Sequence, residues 1–253
     1  MPPRLLVDHP LQPGTELALP AAAGRHVQVL RLQPGAALTL FDGRGGQWLA
    51  EVVEIGRRQV VARALRHESI EREAATAVTL ALGMPANERM DTLVEKATEL
   101  GVATIQPLVC ERSVLRVAGE RAERKAAHWL AVAAAACEQC GRNRLPTIAA
   151  PRPLRDWLAD GRGDGLNLVL SLATGAAPLA GLLLQRRRAL PGAGAALTLL
   201  SGPEGGLSPD ELALALAAGF SAVGLGPRVL RADTAPLAAL AVVGALDLLE
   251  PPQ

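Results

Sequence analysis

Twice between Leu197 and Arg231, an apolar run passes directly into a glycine turn. Leu197 to Leu200 leads into Ser201-Gly202-Pro203-Glu204-Gly205-Gly206, and Ala222 to Leu225 leads into Gly226-Pro227-Arg228-Val229-Leu230-Arg231. Each turn is followed by a helix start. Ser208-Pro209-Asp210-Glu211 is a capping box with proline at the first helical position. Thr234 stands as an N-cap before the apolar helix Leu237 to Leu249. Strand, glycine turn and helix in repetition predict an α/β layer. Because glycine lets the main chain approach a ligand closely, the pair of turns also predicts a pocket built largely of backbone.

The acid inside the first turn narrows the ligand class. Glu204 puts negative charge where a phosphate would sit, and neither G-x-x-x-x-G-K-[ST] nor G-x-G-x-x-G occurs in the chain. A nucleotide-dependent enzyme is therefore disfavoured, and a neutral or cationic ligand fits better.

Strand–helix alternation extends back to residue 74. Val78 to Leu82 predicts a strand, Met90, Leu93, Val94, Ala97 and Leu100 mark one helix face ended by Gly101, and Thr104 to Val109 predicts the next strand. Glu120 to Gln139 predicts a long alanine-rich helix, and Leu166 to Leu172 a further strand. Residues 1–73 read differently. Glu16 to Leu19, Ala37 to Asp42, Trp48 to Val53 and Gln59 to Ala64 are short alternating runs, with a helix over Gly24 to Leu32, a hairpin at Asp42 to Gly46 and a linker or strand extension at His67 to Glu73. The expected organisation is a small β domain over 1–73 and an α/β domain over 74–253.

With 49% apolar and 20% charged residues over 253 positions, the chain can bury a substantial core. No apolar stretch reaches the roughly 18 residues of a membrane span, and Met1-Pro2-Pro3-Arg4 lacks a signal-peptide core, so the expected compartment is the cytoplasm. Cys137-x-x-Cys140 has no second ligand pair, and Cys110, His9, His26, His67 and His128 lack metal-ligand spacing. No metal is expected, and the thiols read as buried helical residues. Charge is uneven: residues 111 to 155 hold nine basic against four acidic residues, a candidate footprint for nucleic acid or simply a solvated face. With no Tyr, two Phe and three Trp, base stacking would rest on arginine planes or aliphatic surfaces. The helix behind the second turn is apolar nearly all round, which predicts burial against the sheet or a partner subunit and favours a homodimer.

The chain resembles the RsmE family of ribosomal RNA methyltransferases, within the SPOUT superfamily. The resemblance rests on Arg25-His26-Val27 through Val29-Leu30-Arg31, Phe41-Asp42-Gly43, Glu95 to Val102, Pro107 through Glu111-Arg112-Ser113, Ala136 to Pro146, and the two glycine turns. It implies a PUA-like RNA-binding β-barrel preceding a trefoil-knotted α/β methyltransferase domain, a homodimer, and S-adenosylmethionine as cofactor. The implied reaction is methylation of uracil N3 in the decoding region of 16S rRNA, on free RNA or the small ribosomal subunit. By the same resemblance Leu170, Leu172, Gly202, Pro203, Glu204, Leu225, Gly226, Val229 and Leu230 hold the cofactor. Arg25, His26, Arg31, Arg112, Arg142 and Arg144 contact RNA.

Methyl transfer to an imide nitrogen requires its anion, and a guanidinium can stabilise the charge on N3, O2 and O4. Arg231 is the candidate for that task; the alternative is a loop-shaping ion pair to Asp233 or Glu204. Glu204 itself either approaches the sulfonium or caps its turn. Where the family continues Arg-Thr-Glu-Thr, this chain has Arg231-Ala232-Asp233-Thr234, which keeps open a non-catalytic RNA-binding ribosome-assembly factor.

Overall fold

A computed structural model describes residues 2–57, 59–160, 165–189 and 196–249. The chain forms two compact units, Met1–Glu73 with Ala134–Leu145, and Ala74–Ala133 with Pro146–Gln253.

In the first unit, β1 (Arg4–Leu6), β2 (Glu16–Ala18), α1 (Ala21–Val29), β3 (Ala37–Phe41), β4 (Gln47–Ile55) and β5 (Val60–Glu68) follow in order. The sheet runs β1-β3-β4-β5-β2, antiparallel except for β1 beside β3. Strand periodicity explains its core: Val60, Ala62 and Ala64 turn inward with Leu38, Leu40 and Val52, and α1 adds Ala23 and Val27. β5 continues to Glu68, so the start of the stretch His67 to Glu73 is a strand extension, the second of its two expected forms.

Residues 134–145, placed by the sequence reading in the second domain, complete the polar core of this first unit. Arg4 donates to Gln47 Oε1 at 2.7 Å, to the Arg142 carbonyl at 3.1 Å and to Asn143 Oδ1 at 2.6 Å. Its guanidinium lies 5.0 Å from the Phe41 ring centroid. Burial, and then neighbouring Arg72, lower the Arg4 pKa from its usual range. Asn143 donates to the Ile70 carbonyl at 2.5 Å, Arg72 to the Gly141 carbonyl at 3.0 Å, and the Leu6 N–H to Glu138 at 2.9 Å.

The second unit contains β6 (Val78–Gly83), α2 (Asn87–Glu99), β7 (Thr104–Val109), α3 (Glu120–Cys140, its last turns in the first unit), β8 (Thr147–Ile148) and β9 (Arg152–Pro153). It continues with α4 (Leu154–Ala159), β10 (Leu166–Leu170), β11 (Ala177–Pro178), α5 (Leu179–Ala189), β12 (Leu197–Ser201), α6 (Pro209–Ala217), β13 (Ser221–Gly224) and α7 (Thr234–Asp247). The sheet order is β11-β13-β10-β12-β6-β7-β8, with β9 also beside β7, and every pairing is parallel. A parallel sheet must be covered on both faces, and alternate residues divide accordingly. Leu80, Leu82, Leu168, Leu197 and Leu199 pack with Met90, Leu93, Ala239, Leu240 and Val243 from α2 and α7. Ala81, Leu108, Val169 and Leu200 pack with Leu154, Leu158, Ala215 and Phe220 around α4 and α6.

The apolar helix α7 buries Pro236, Ala239, Leu240, Val243 and Leu246 within its own unit. Its N-cap is Asp233, not Thr234, which is the first helical residue. Near its other end, the carboxylate of Asp247 accepts from the Thr76 N–H at 3.0 Å and hydroxyl at 2.8 Å, and pairs with Arg187 of α5. Among the described residues no helix is long and apolar enough to cross a membrane.

Removing the Asn143 amide leaves Arg4 and the Ile70 carbonyl short of a partner in a buried site. Asn143→Ala is expected to lower stability by about 2 kcal/mol in urea unfolding. The thiols give a second expectation. Burial pushes the Cys110 and Cys137 thiols up to about 12 from an ordinary 9.0. Folded protein therefore holds those protons more tightly than unfolded chain, so stability is fully present below pH 9 and falls as pH rises from there towards 12. At pH 8 a thiol reagent is expected to modify half-buried Cys140 in the native protein and all three cysteines only after unfolding.

Candidate functional site

Three neighbouring strands of the second unit, β13, β10 and β12, end at one edge of the parallel sheet, where the loops following them line a single cavity of about 600 Å³. The carboxyl edge of a parallel sheet is where such folds bind ligands.

The first glycine turn leaves β12. A side chain at Gly202 would place its Cβ 2.7 Å from the Leu207 nitrogen and 2.8 Å from the Gly206 carbonyl carbon, so only glycine lets this turn close upon itself. The Gly206 N–H donates to the Pro203 carbonyl at 2.8 Å. Behind the turn, the capping box is formed in full: Ser208 Oγ accepts from the Glu211 N–H at 3.2 Å, and Glu211 Oε2 from the Ser208 N–H at 2.9 Å. Glu211 does more than its spacing revealed. Its other carboxylate oxygen accepts from the Glu111 N–H at 2.7 Å, binding the start of α6 to the loop after β7. From that loop Arg112 donates to the Gly205 carbonyl at 2.9 Å.

Glu204 lines the cavity, but its Oε1 already accepts from the Ala86 N–H at 3.0 Å, at the N-cap of α2, and lies 3.7 Å from Arg89. A carboxylate there is favoured by the helix dipole. Glu204 thus caps the start of α2 and not its own turn.

The second glycine turn leaves β13, with Gly226 at φ 103°, a conformation costly for other residues. Leu225, Val229 and Leu230 line the cavity from this turn, and Leu170, Ser171 and Leu172 line it from the end of β10. Ser171 donates its N–H to the Val223 carbonyl at 2.9 Å, which fixes the two loop origins side by side. Val229 is 78% and Leu172 69% exposed, so both present apolar surface at the mouth. The cavity thus gathers every cofactor candidate except Gly226, which stands in the turn without lining it.

Arg231 lines the same cavity, as do Arg228 and Arg89, neither of which was singled out for the site from the sequence. Among the described residues Arg231 has no ion-pair partner, so the loop-shaping pair to Asp233 or Glu204 does not form. Asp233 is the N-cap of α7, accepts from the Thr234 hydroxyl at 3.3 Å and does not line the cavity.

The RNA candidates separate into groups. Arg25, His26 and Arg31 are exposed on and just after α1. Arg31 occupies the left-handed position (φ 52°) of a complete Schellman turn: its N–H donates to the Gln28 carbonyl and the Leu32 N–H to that of Val27. Arg144 is exposed and 3.3 Å from Glu71. Arg142 requires correction. It is 4% exposed and pairs with Glu73 at 2.5 Å within the first unit, which removes it from contact with a phosphate. No cluster of His, Cys, Asp or Glu among the described residues could hold a metal.

Comparison with known proteins agrees with this geometry. Residues 72–244 match the RNA methyltransferase domain family and residues 19–65 the RNA methyltransferase PUA domain family. The Ribosomal RNA small subunit methyltransferase E of Synechocystis is 36% identical over 87% of this chain and 69% of its own length; that of Mycobacterium tuberculosis is 35% identical over 86% and 81%. A Ribosomal RNA small subunit methyltransferase E from Neisseria gonorrhoeae, solved bound to S-adenosyl methionine, superposes with a TM-score of 0.87 at 34% identity, covering 97% of this chain and 98% of that one. A Legionella pneumophila structure with bound SAM gives the same TM-score and coverage at 35% identity. Family match, relatives and fold together place this chain in the ribosomal RNA small subunit methyltransferase E family.

Proposed function

We propose that this chain transfers a methyl group from S-adenosylmethionine to N3 of a uracil in the decoding region of small-subunit ribosomal RNA, acting in the cytoplasm as a homodimer. The observation that carries the reading is the convergence of the loops after β10, β12 and β13 on one cavity lined by apolar side chains, glycines and three arginines.

The residues fit the cofactor. Leu172, Leu225, Val229 and Leu230 offer apolar surface for a purine, while Gly202 and Gly205, which line the cavity without side chains, offer main-chain contact. Leu170, Pro203 and the Gly226 turn would complete that hold. When bound, S-adenosylmethionine supplies an electrophilic methyl group on a positively charged sulfur.

The chain must supply position and charge. N3 of uracil is weakly nucleophilic until its proton leaves, and an arginine beside the ring favours the anion by pairing with N3 and a flanking carbonyl oxygen. Arg231, without an ion-pair partner among the described residues, suits that role. Glu204 is the one carboxylate among the described lining residues, and it is already engaged. We assign no side-chain base, and loss of the N3 proton to water or hydroxide is part of the proposal. Holding base and methyl group in line contributes much of the remaining acceleration. Exposed Leu248 and Leu249 at the end of α7 support an apolar contact with a second copy. The trefoil knot is part of the same proposal.

Calorimetry with S-adenosylmethionine, ATP and NAD, alongside methyl incorporation into unmodified small-subunit RNA and mass spectrometry of its nucleosides, tests the reading. Binding of the methyl donor alone, with N3-methyluridine formed, is expected; donor or RNA binding without turnover would instead favour an assembly factor. Arg231→Ala is expected to reduce kcat by about 10²-fold or more with little change in RNA affinity, as for loss of a charge-stabilising group. Arg31→Gly is expected to raise stability by about 1 kcal/mol by relieving the left-handed arginine, while weakening RNA binding and flattening its salt dependence.

A further inference from the structure

We infer that Arg228 holds a backbone phosphate of the target nucleotide, so that one glycine turn grips both ends of the residue being methylated. The inference rests on the proposed function and starts from charge. The charged residues lining the cavity, among those described, are Arg89, Arg228, Arg231 and Glu204. Arg89 is matched by Glu204 at 3.7 Å. Two guanidinium groups remain, facing a cofactor whose sulfonium, ammonium and carboxylate leave it with one net positive charge. Neither arginine is complementary to that ligand as a whole.

A uracil anion accounts for one of them, and Arg231 serves it. Arg228 then has no partner in the base or the protein: it is exposed and has no ion pair among the described residues. Two anions come to this cavity besides the base, the cofactor's carboxylate and the phosphodiester of the RNA; we assign Arg228 to the phosphodiester, because it is exposed, and donor binding by Arg228→Ala separates the two. A base presented to an enzyme must leave its stack, and contacts to its phosphate fix the extruded nucleotide without reading sequence. Chain spacing permits the double grip. Arg228 and Arg231 are three residues apart, so their Cα atoms are at most about 11 Å apart even if fully extended, a span of the order of one nucleotide.

The test compares wild type, Arg228→Ala and Arg228→Lys, titrating unmodified small ribosomal subunits over a range of salt and measuring S-adenosylmethionine binding by calorimetry. Arg228→Ala is expected to raise the KM for RNA about tenfold and to flatten the log–log salt dependence by about 0.7–0.9, the value of one lost phosphate contact. Donor affinity is expected to hold or improve, and kcat at saturating RNA to stay within about twofold, because the contact is not specific to the transition state. Arg228→Lys keeps the charge and is expected to restore the salt slope. An unchanged slope in Arg228→Ala with active wild type, or loss of donor binding in that variant, overturns the inference alone. A wild-type chain that neither binds the donor nor methylates RNA overturns the functional reading, and the inference with it.

Discussion

Everything at the candidate site depends on parallel strand pairing in the second unit. Parallel neighbours deliver their following loops to the same edge, and with β13, β10 and β12 side by side three such loops meet. That pairing in turn depends on two buried faces. Leu168 faces one core and Val169 the other, as do Leu199 and Leu200, so a shift of register by one residue would exchange the two sets. The cavity is therefore positioned by packing well away from any ligand.

Several polar groups make that edge stiff. Glu211 satisfies two backbone N–H groups from different parts of the chain, and Glu204 satisfies another at the start of α2. Glu211 is buried behind the turn with both oxygens accepting hydrogen bonds, and Glu204 lines the cavity with Oε1 accepting one. They shape the main chain that would receive the cofactor. The arginines divide in the opposite way: Arg112 and Arg142 are held by protein partners, whereas Arg228 and Arg231 line the cavity without an ion pair among the described residues.

Much of this was legible in the residues. The capping box at Ser208, the glycine turns and the two-residue alternation of the strands are local signals, and local physics suffices to read them. Non-local pairings and very short elements were not legible. Arg142 looked like its neighbours in a basic segment because its partner, Glu73, is remote in sequence. The six-residue α4 carries too little periodicity to announce itself, and α5 has only Leu179 and Leu183 fully buried. Thr234 has the residue type of a cap, yet Asp233 holds that position and the helix begins at Thr234 itself. Arg89 is drawn to the site by Glu204, a pairing no spacing rule anticipates.

The first unit borrows residues 134–145 from far downstream, and Arg4, Leu6 and Ile70 find their hydrogen-bond partners there. On a ribosome the amino-terminal strands emerge long before that segment does. They must wait, partly solvated, until more than a third of the second unit has been synthesised, which ties completion of the leading domain to elongation through its successor. An arrest of translation before Leu145 would leave a nascent chain whose buried arginine has lost its amide partner, a natural target for chaperones or proteases.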